Sequence, residues 1–181
     1  MDRRSAESLF ISLGSNLGDS EDILISAIRR IHERCPVTGL SRLYRSDPQI
    51  VTDQPFFLNA ALRCRTNWAP PRVLSFLQEI ERDHGRDRTR ERPKGPRPLD
   101  LDMILFGSHI IDVPELSLPH PEYRKRRFVL LPLLDIDDSL TDPRDEVRLS
   151  DLEAALRTDP SQGIYLVDSD NYNSLTSDLR I

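Results

Sequence analysis

Two segments with helical spacing, each set between segments that alternate or run apolar as strands do, constrain the fold of this chain more than any other feature. LFISLGSN (Leu9–Asn16) reads as a short buried strand running into a glycine turn. Gly18–Cys35 carries helix signals: Asp19 or Ser20 as cap, acids in the first turn, and Leu24, Ala27, Ile28 and Ile31 as an apolar stripe. Pro36 ends it. Leu40–Ser46 is partly alternating, as a half-buried strand can be. A loop with two prolines follows, Ser46–Pro55. Phe56–Thr66 alternates more clearly, with Phe56, Leu58, Ala60, Leu62 and Cys64 on one face and Phe57, Asn59, Ala61, Arg63 and Arg65 on the other. Ala69–Gly85 is the second helix, with Pro70 and Pro71 in its first turn and Gly85 just past its end. Val73, Leu74, Leu77 and Ile80 form its stripe. Pro98–Gly107 is a further strand.

The order β-α-β-β-α-β predicts an α+β fold: an antiparallel sheet with both helices on one face, the split βαβ or ferredoxin-like arrangement, plus C-terminal additions. His109–Tyr123 is irregular, with a short hairpin arm. Arg126–Ile136 is open between strand and helix. Leu149–Leu156 has the spacing of a short helix, and the end is polar. The length of 181 residues fits one domain. A single domain over 1–181 is expected, with a core of about 9–136 and an extension over 137–181 to which the sequence assigns no role. That fold serves enzymes, RNA binders and regulatory domains alike, so it decides no function.

Charge is more telling. The chain is mildly acidic at −5, yet residues 1–134 carry a net +3 and residues 135–181 a net −8. Six basic residues crowd Gly85–Arg97 and four more form RKRR at Arg124–Arg127. Tight basic clusters on an acidic protein suggest a small anionic ligand rather than a long polyanion. No apolar run reaches the roughly 20 residues of a membrane span, and the start lacks the apolar stretch of a secretory signal. The two cysteines, Cys35 and Cys64, fit a reducing cytoplasm. The expectation is a cytoplasmic monomer with no membrane or nucleic-acid partner.

The sharpest chemical feature is Asp100-Leu101-Asp102 inside an apolar strand. Alternation puts both carboxylates on one face, about 6–7 Å apart by the strand rise. Leu99, Leu101 and Met103 point the other way. Two such charges repel, and burial makes that worse. A hard divalent cation relieves this, and Mg²⁺ needs few protein ligands when phosphate oxygens complete its shell. The alternative is that the acids pair with nearby arginines. The basic loop of Arg86, Arg88, Arg90, Arg92, Lys94 and Arg97 supplies forks that match phosphate oxygens. No aromatic residue interleaves these charges, against the nucleic-acid reading. There is no P-loop among the seven glycines, so metal and arginines must hold any phosphates. Phe57 beside Asn59 can grip a flat heterocycle by stacking and hydrogen bonding, or can simply be core. A binding module of the same fold is the rival, but the Asp pair sits where an RNA-binding sheet carries aromatics.

LGSNLGD, YRSDP, DQPFFLNAA, IERDHGR, GPRPLDLDMILFG and LPHPEYRKRRFVLLPL, in that order, are together similar to the 6-hydroxymethyl-7,8-dihydropterin pyrophosphokinases. The resemblance runs from about Leu9 to Ile136. It implies transfer of pyrophosphate from ATP to the hydroxymethyl group of the pterin, with release of AMP, in folate biosynthesis. It implies that Asp100 and Asp102 hold two Mg²⁺ ions, and that Arg86, Arg88 and Arg97 contact phosphates, Arg97 stabilising the transition state. Gln78, Glu81, Ser117, His120 and Arg126 would line the ATP side. Phe57 and Phe128 would stack on the pterin and Asn59 would bond its edge, with Gly14, Ser46, Asp47 and Pro48 around them. Departures from the family pattern fall at Thr89, Pro93-Lys94, Glu115 and Pro121.

Overall fold

The computed structural model describes residues 5–49, 53–87, 89 and 95–181. Strand β1 (Glu7–Ser15) is followed by helix α1 (Ser20–His32), β2 (Val37–Leu40), β3 (Leu43–Ser46), β4 (Phe57–Thr66), helix α2 (Pro70–Asp83) and β5 (Asp100–Phe106). A hairpin follows, β6 (Ile111–Val113) with β7 (Leu116–Leu118). Then come helices α3 (Arg127–Ile136) and α4 (Leu149–Leu156), strand β8 (Ile164–Val167) and helix α5 (Asp170–Asp178). The main sheet runs β5-β1-β4-β3-β8, with β2 also paired to β4, and its pairings are antiparallel. No helix among the described residues is long and apolar enough to cross a membrane.

The sheet is buried on both faces. Leu9, Ile11 and Leu13 of β1, Ala60, Leu62 and Cys64 of β4 and Leu101 of β5 meet the stripes of α1 and α2. Asp19 caps α1 by accepting from Asp22 N, and α2 begins at Pro70, whose missing N–H costs nothing at that position. The other face carries Phe10, Ala61 and Leu105, covered by Val129, Leu130 and Leu133 of α3 and Leu149 of α4.

Three features depart from the sequence expectation, and one that it left open is decided. The strand expected over Leu40–Ser46 is two strands, because the Ser41 Oγ accepts from Ala61 N at 2.8 Å and so takes over a ladder bond. Phe56 lies outside β4, exposed, with the Arg45 guanidinium 5.1 Å from its ring centre. Arg127–Ile136 resolves as helix despite Pro132, with Val129, Leu130 and Leu133 as the single stripe it packs on the sheet. The core reaches beyond the expected 9–136: β8 pairs with β3, and Tyr172 and Leu175 of α5 join the main cluster.

Gly39 lets α3 approach the sheet. A Cβ there would fall 2.8 Å from Ile136 Cγ2, a contact that branched carbon atoms cannot make. Gly39→Ala is therefore expected to destabilise the protein by about 1–3 kcal/mol through overpacking, measured by urea unfolding; an unchanged midpoint would mean α3 shifts freely.

Candidate active site

β5 lies beside β1 with Asp100 opposite Gly14 and Asp102 opposite Ser12. Strand alternation sends Leu99, Leu101 and Met103 into the core and leaves the two carboxylates half-buried on the α3 side. A Cβ on Gly14 would stand 3.9 Å from Asp100 Cβ and 3.7 Å from Asn59 Oδ1, so this glycine forms the bare floor between them. Burial, and then the charge of Asp100, push Asp102 up to about 7, against the pull of Arg126 and Arg97. His120 Nε2 lies 3.8 Å from Asp102 Oδ2. Burial and the nearby Arg126 hold His120 below its ordinary value.

Asp100 is shared by two arginines. Arg86 Nη1 donates to Asp100 Oδ1, to Glu81 Oε1 and, at 3.1 Å, to the Leu99 carbonyl. Glu81 is 1% exposed and its Oε1 also accepts from Leu101 N at 2.9 Å. Its carboxylate thus braces Arg86 and β5 from beneath. Arg97 reaches Asp100 Oδ2 at 3.4 Å, and its guanidinium lies 5.7 Å from the centre of the Phe57 ring. Its Nε is buried with no hydrogen-bond partner among the described residues. Such an orphan donor is costly unless something else receives it.

Asn16 fixes the backbone that carries Arg97. Its Oδ1 accepts from Arg97 N at 2.8 Å and its N donates to Arg97 O at 3.1 Å. Its Nδ2 donates to Gln54 Oε1 and to the Pro55 carbonyl at 3.2 and 3.1 Å. One buried amide therefore ties the β1 turn, the loop before β4 and the strap before β5.

On the facing side, Asn59 is 3% exposed. Its Nδ2 donates to Ser46 Oγ at 2.9 Å and to the Phe57 carbonyl at 3.3 Å. Among the described residues no donor reaches its Oδ1, which leaves that oxygen as an acceptor for a ligand. Phe128 comes in from the first turn of α3, with Arg126 5.9 Å from its ring centre. These groups line one open cleft of about 730 Å³, mouth included, a size suited to a small molecule.

The cleft brings together Gly14, Ser46, Asp47, Pro48, Phe57 and Asn59. Its lining also takes in Arg97, Asp100, Asp102, Arg126 and Phe128. Gln78, Glu81, Arg86, Ser117 and His120 are not on its lining. Glu81 and Arg86 support it from below, His120 borders Asp102, and Ser117 Oγ donates to Asp112 within the β6–β7 hairpin at 3.2 Å. Arg88 lies outside the described residues. Ser12, Gln49, Gln54 and Val129 also line the cleft, and Asn16 braces it; the sequence reading singled out none of the five. Glu81 could have been placed as buried from its spacing, since it follows Leu77 by one turn on the apolar stripe of α2.

Residues 10–138 match the model of the 7,8-dihydro-6-hydroxymethylpterin-pyrophosphokinase family. A 2-amino-4-hydroxy-6-hydroxymethyldihydropteridine pyrophosphokinase of Pseudomonas aeruginosa is 42% identical over 159 residues, covering 86% of this chain and 94% of that protein. The folic acid synthesis protein fol1 of Pneumocystis carinii is 41% identical over 138 residues; that match takes in 76% of this chain but only 18% of the longer protein. A crystal structure of an HPPK-DHPS protein from Plasmodium falciparum superimposes on 93% of this chain and 48% of that one, with a TM-score of 0.72 at 12% identity. At that identity the likeness is one of fold.

Proposed function

Because the chain belongs to the 7,8-dihydro-6-hydroxymethylpterin-pyrophosphokinase family, we propose that its cleft transfers the pyrophosphoryl group of ATP to the hydroxymethyl oxygen of a reduced pterin and releases AMP. One observation carries this reading: a single cleft sets paired carboxylates and arginines directly against two phenylalanine rings and a buried amide. The first set suits a polyphosphate and the second a flat heterocycle. The sheet order β5-β1-β4-β3 supports the ferredoxin-like reading of the core, with 137–181 as an addition to a single unit.

In the reaction the pterin hydroxyl oxygen forms a bond to the β-phosphorus. The bond from that phosphorus to the oxygen bridging to the α-phosphate breaks, AMP carries away that oxygen, and the hydroxyl proton goes to solvent. Transfers of this kind ask mainly for positioning and charge neutralisation. Phe57 and Phe128 would stack on the pterin, and Asn59 Oδ1 would accept from its amino edge. Arg97 would turn its orphan Nε–H and the rest of its fork to the transferring phosphates, stabilising charge that builds in the transition state. Arg126 would meet the same phosphates from the α3 side. Arg86 would hold Asp100 in place, with Glu81 acting through Arg86.

Among the described residues no group of three His, Cys, Asp or Glu side chains forms a closed metal cage. Mg²⁺ needs none when phosphates complete its shell, and the Asp100–Asp102 pair fits two such ions shared with ATP. When bound, the metal would neutralise the triphosphate and polarise the phosphoryl group under attack.

Calorimetric titration tests the reading. A non-hydrolysable ATP analogue should bind with magnesium and far more weakly without it, and the pterin should bind after it. Tight analogue binding indifferent to magnesium would contradict the metal assignment. In the same assay Phe57→Ala should weaken pterin binding about 10-fold, the loss of one stacking face, and leave the analogue within about twofold. Equal weakening of both ligands would remove Phe57 from the pterin wall.

A further inference from the structure

The outer part of the cleft is held by a segment that lies beyond the family match, which ends at residue 138. Gln162 closes a 3₁₀ turn, Pro160–Gln162, just before β8. Its Oε1 accepts from Gln49 Nε2 at 2.7 Å and from Arg127 N at 3.1 Å. Its Nε2 donates to the Lys125 carbonyl at 3.3 Å. One carboxamide therefore bridges the segment after β3, where Asp47, Pro48 and Gln49 line the cleft, to the first turn of α3, where Arg126 and Phe128 line it.

The surroundings keep this bridge in place. β8 begins two residues later, with Ile164 paired to Ser46. Gly163 runs close under the same loop, since a Cβ there would stand 3.5 Å from Asp47 Oδ2. Arg45 is set between the rings of Phe56 and Tyr165, 5.1 and 5.3 Å from their centres. A loop held in its bound shape before the ligand arrives loses less conformational freedom on binding.

We propose that Gln162 is a positioning residue, which sets the gap between the Asp47–Gln49 wall and the Arg126–Phe128 wall and thereby the affinity for the pterin. The inference rests on the pterin reading of the cleft. Its chemistry is specific. An alanine breaks all three bonds, whereas a glutamate keeps an acceptor for Gln49 and for Arg127 N and turns the bond to the Lys125 carbonyl into a contact between two acceptor oxygens.

The test is a double-mutant cycle on pterin binding, with the magnesium–ATP analogue held at saturation. Gln162→Ala, which breaks three hydrogen bonds, should weaken the pterin about 5- to 10-fold, and Gln49→Ala, which breaks one, about 3-fold. The double variant should be no weaker than Gln162→Ala alone, because both changes cut the same bridge. The analogue should stay within about twofold throughout, and Gln162→Glu, which keeps two of the three contacts, should bind the pterin more tightly than Gln162→Ala. Wild-type pterin affinity in Gln162→Ala, fully additive losses, or equal weakening of both ligands would overturn the proposal. Should Gln162→Ala fail to fold, Gln49→Ala against Gln162→Glu decides: the first must weaken the pterin more than the second. A wild-type protein that binds the analogue but no pterin would instead sink the functional reading, and this inference with it.

Discussion

Asp102→Asn is expected to lower turnover by about 10³-fold, roughly 4 kcal/mol of barrier, while making the ligand-free protein more stable. The two effects have one source. Asp102 stands on the same strand face as Asp100, half-buried, and is pushed up to about 7 by burial and by that neighbour. A carboxyl group raised in the folded state binds its proton more tightly there than in the unfolded chain. It therefore costs nothing below its unfolded value near 4, and its cost grows as pH rises, becoming complete above about 7. Asparagine keeps the shape and removes the charge. The stability gain should thus widen from about pH 4 to pH 7 and stay level above, read as the difference in thermal midpoint between the two proteins. A residue kept for structure would show the reverse, a loss of stability beside a modest loss of rate. An Asp102→Asn protein that turns over normally would mean that its charge serves no ligand.

Asp142→Ala should have the largest effect on stability away from the cleft, about 3 kcal/mol in urea unfolding at pH 7. Asp142 is fully buried. It accepts from the Tyr123 hydroxyl at 2.8 Å, from Arg124 Nη1 at 3.2 Å and from Arg144 N and Nε at 2.9 Å. Truncation leaves the hydroxyl of Tyr123, itself 0% exposed, without its acceptor. Burial alone would raise this carboxyl, but the bonds from Arg144 and Tyr123 outweigh burial and hold it at about 2. The sign is then opposite to that of Asp102. The stability it supplies is complete above its unfolded value near 4 and is lost as pH falls toward 2. The gap between wild type and variant should therefore shrink at pH 2.5. A gap that stays constant with pH would contradict the network.

The parts of the site that the sequence made legible are those where a single period dictates direction. At the start of β5 the apolar residues 99, just before the strand, 101 and 103 must face the core, so Asp100 and Asp102 must face away together. In β4 the same alternation puts Phe57 and Asn59 on one side. What stayed hidden depends on side chains that act on distant backbone. Ser41 splits an expected strand by taking a ladder bond from Ala61, Asn16 joins three loops through one amide, and Glu81 is buried beneath Arg86. No local pattern encodes those meetings, although an acid on an apolar helix stripe hints at the last. The C-terminal segment was hidden for another reason. Ile164–Val167 is too short to read as a strand alone, and it becomes one only against β3. Tyr172, Leu175 and Leu179 do keep helical spacing, a signal that the polar residues around them obscure.

The most direct test of the account is the fate of the three phosphorus atoms of ATP when the protein is given reduced hydroxymethylpterin and magnesium, followed by phosphorus NMR. The account predicts one AMP for each pterin diphosphate formed, with the β- and γ-phosphorus appearing together on the pterin and no turnover when either the pterin or magnesium is left out. Formation of ADP with a pterin monophosphate, or AMP released at the same rate without any pterin, would contradict it.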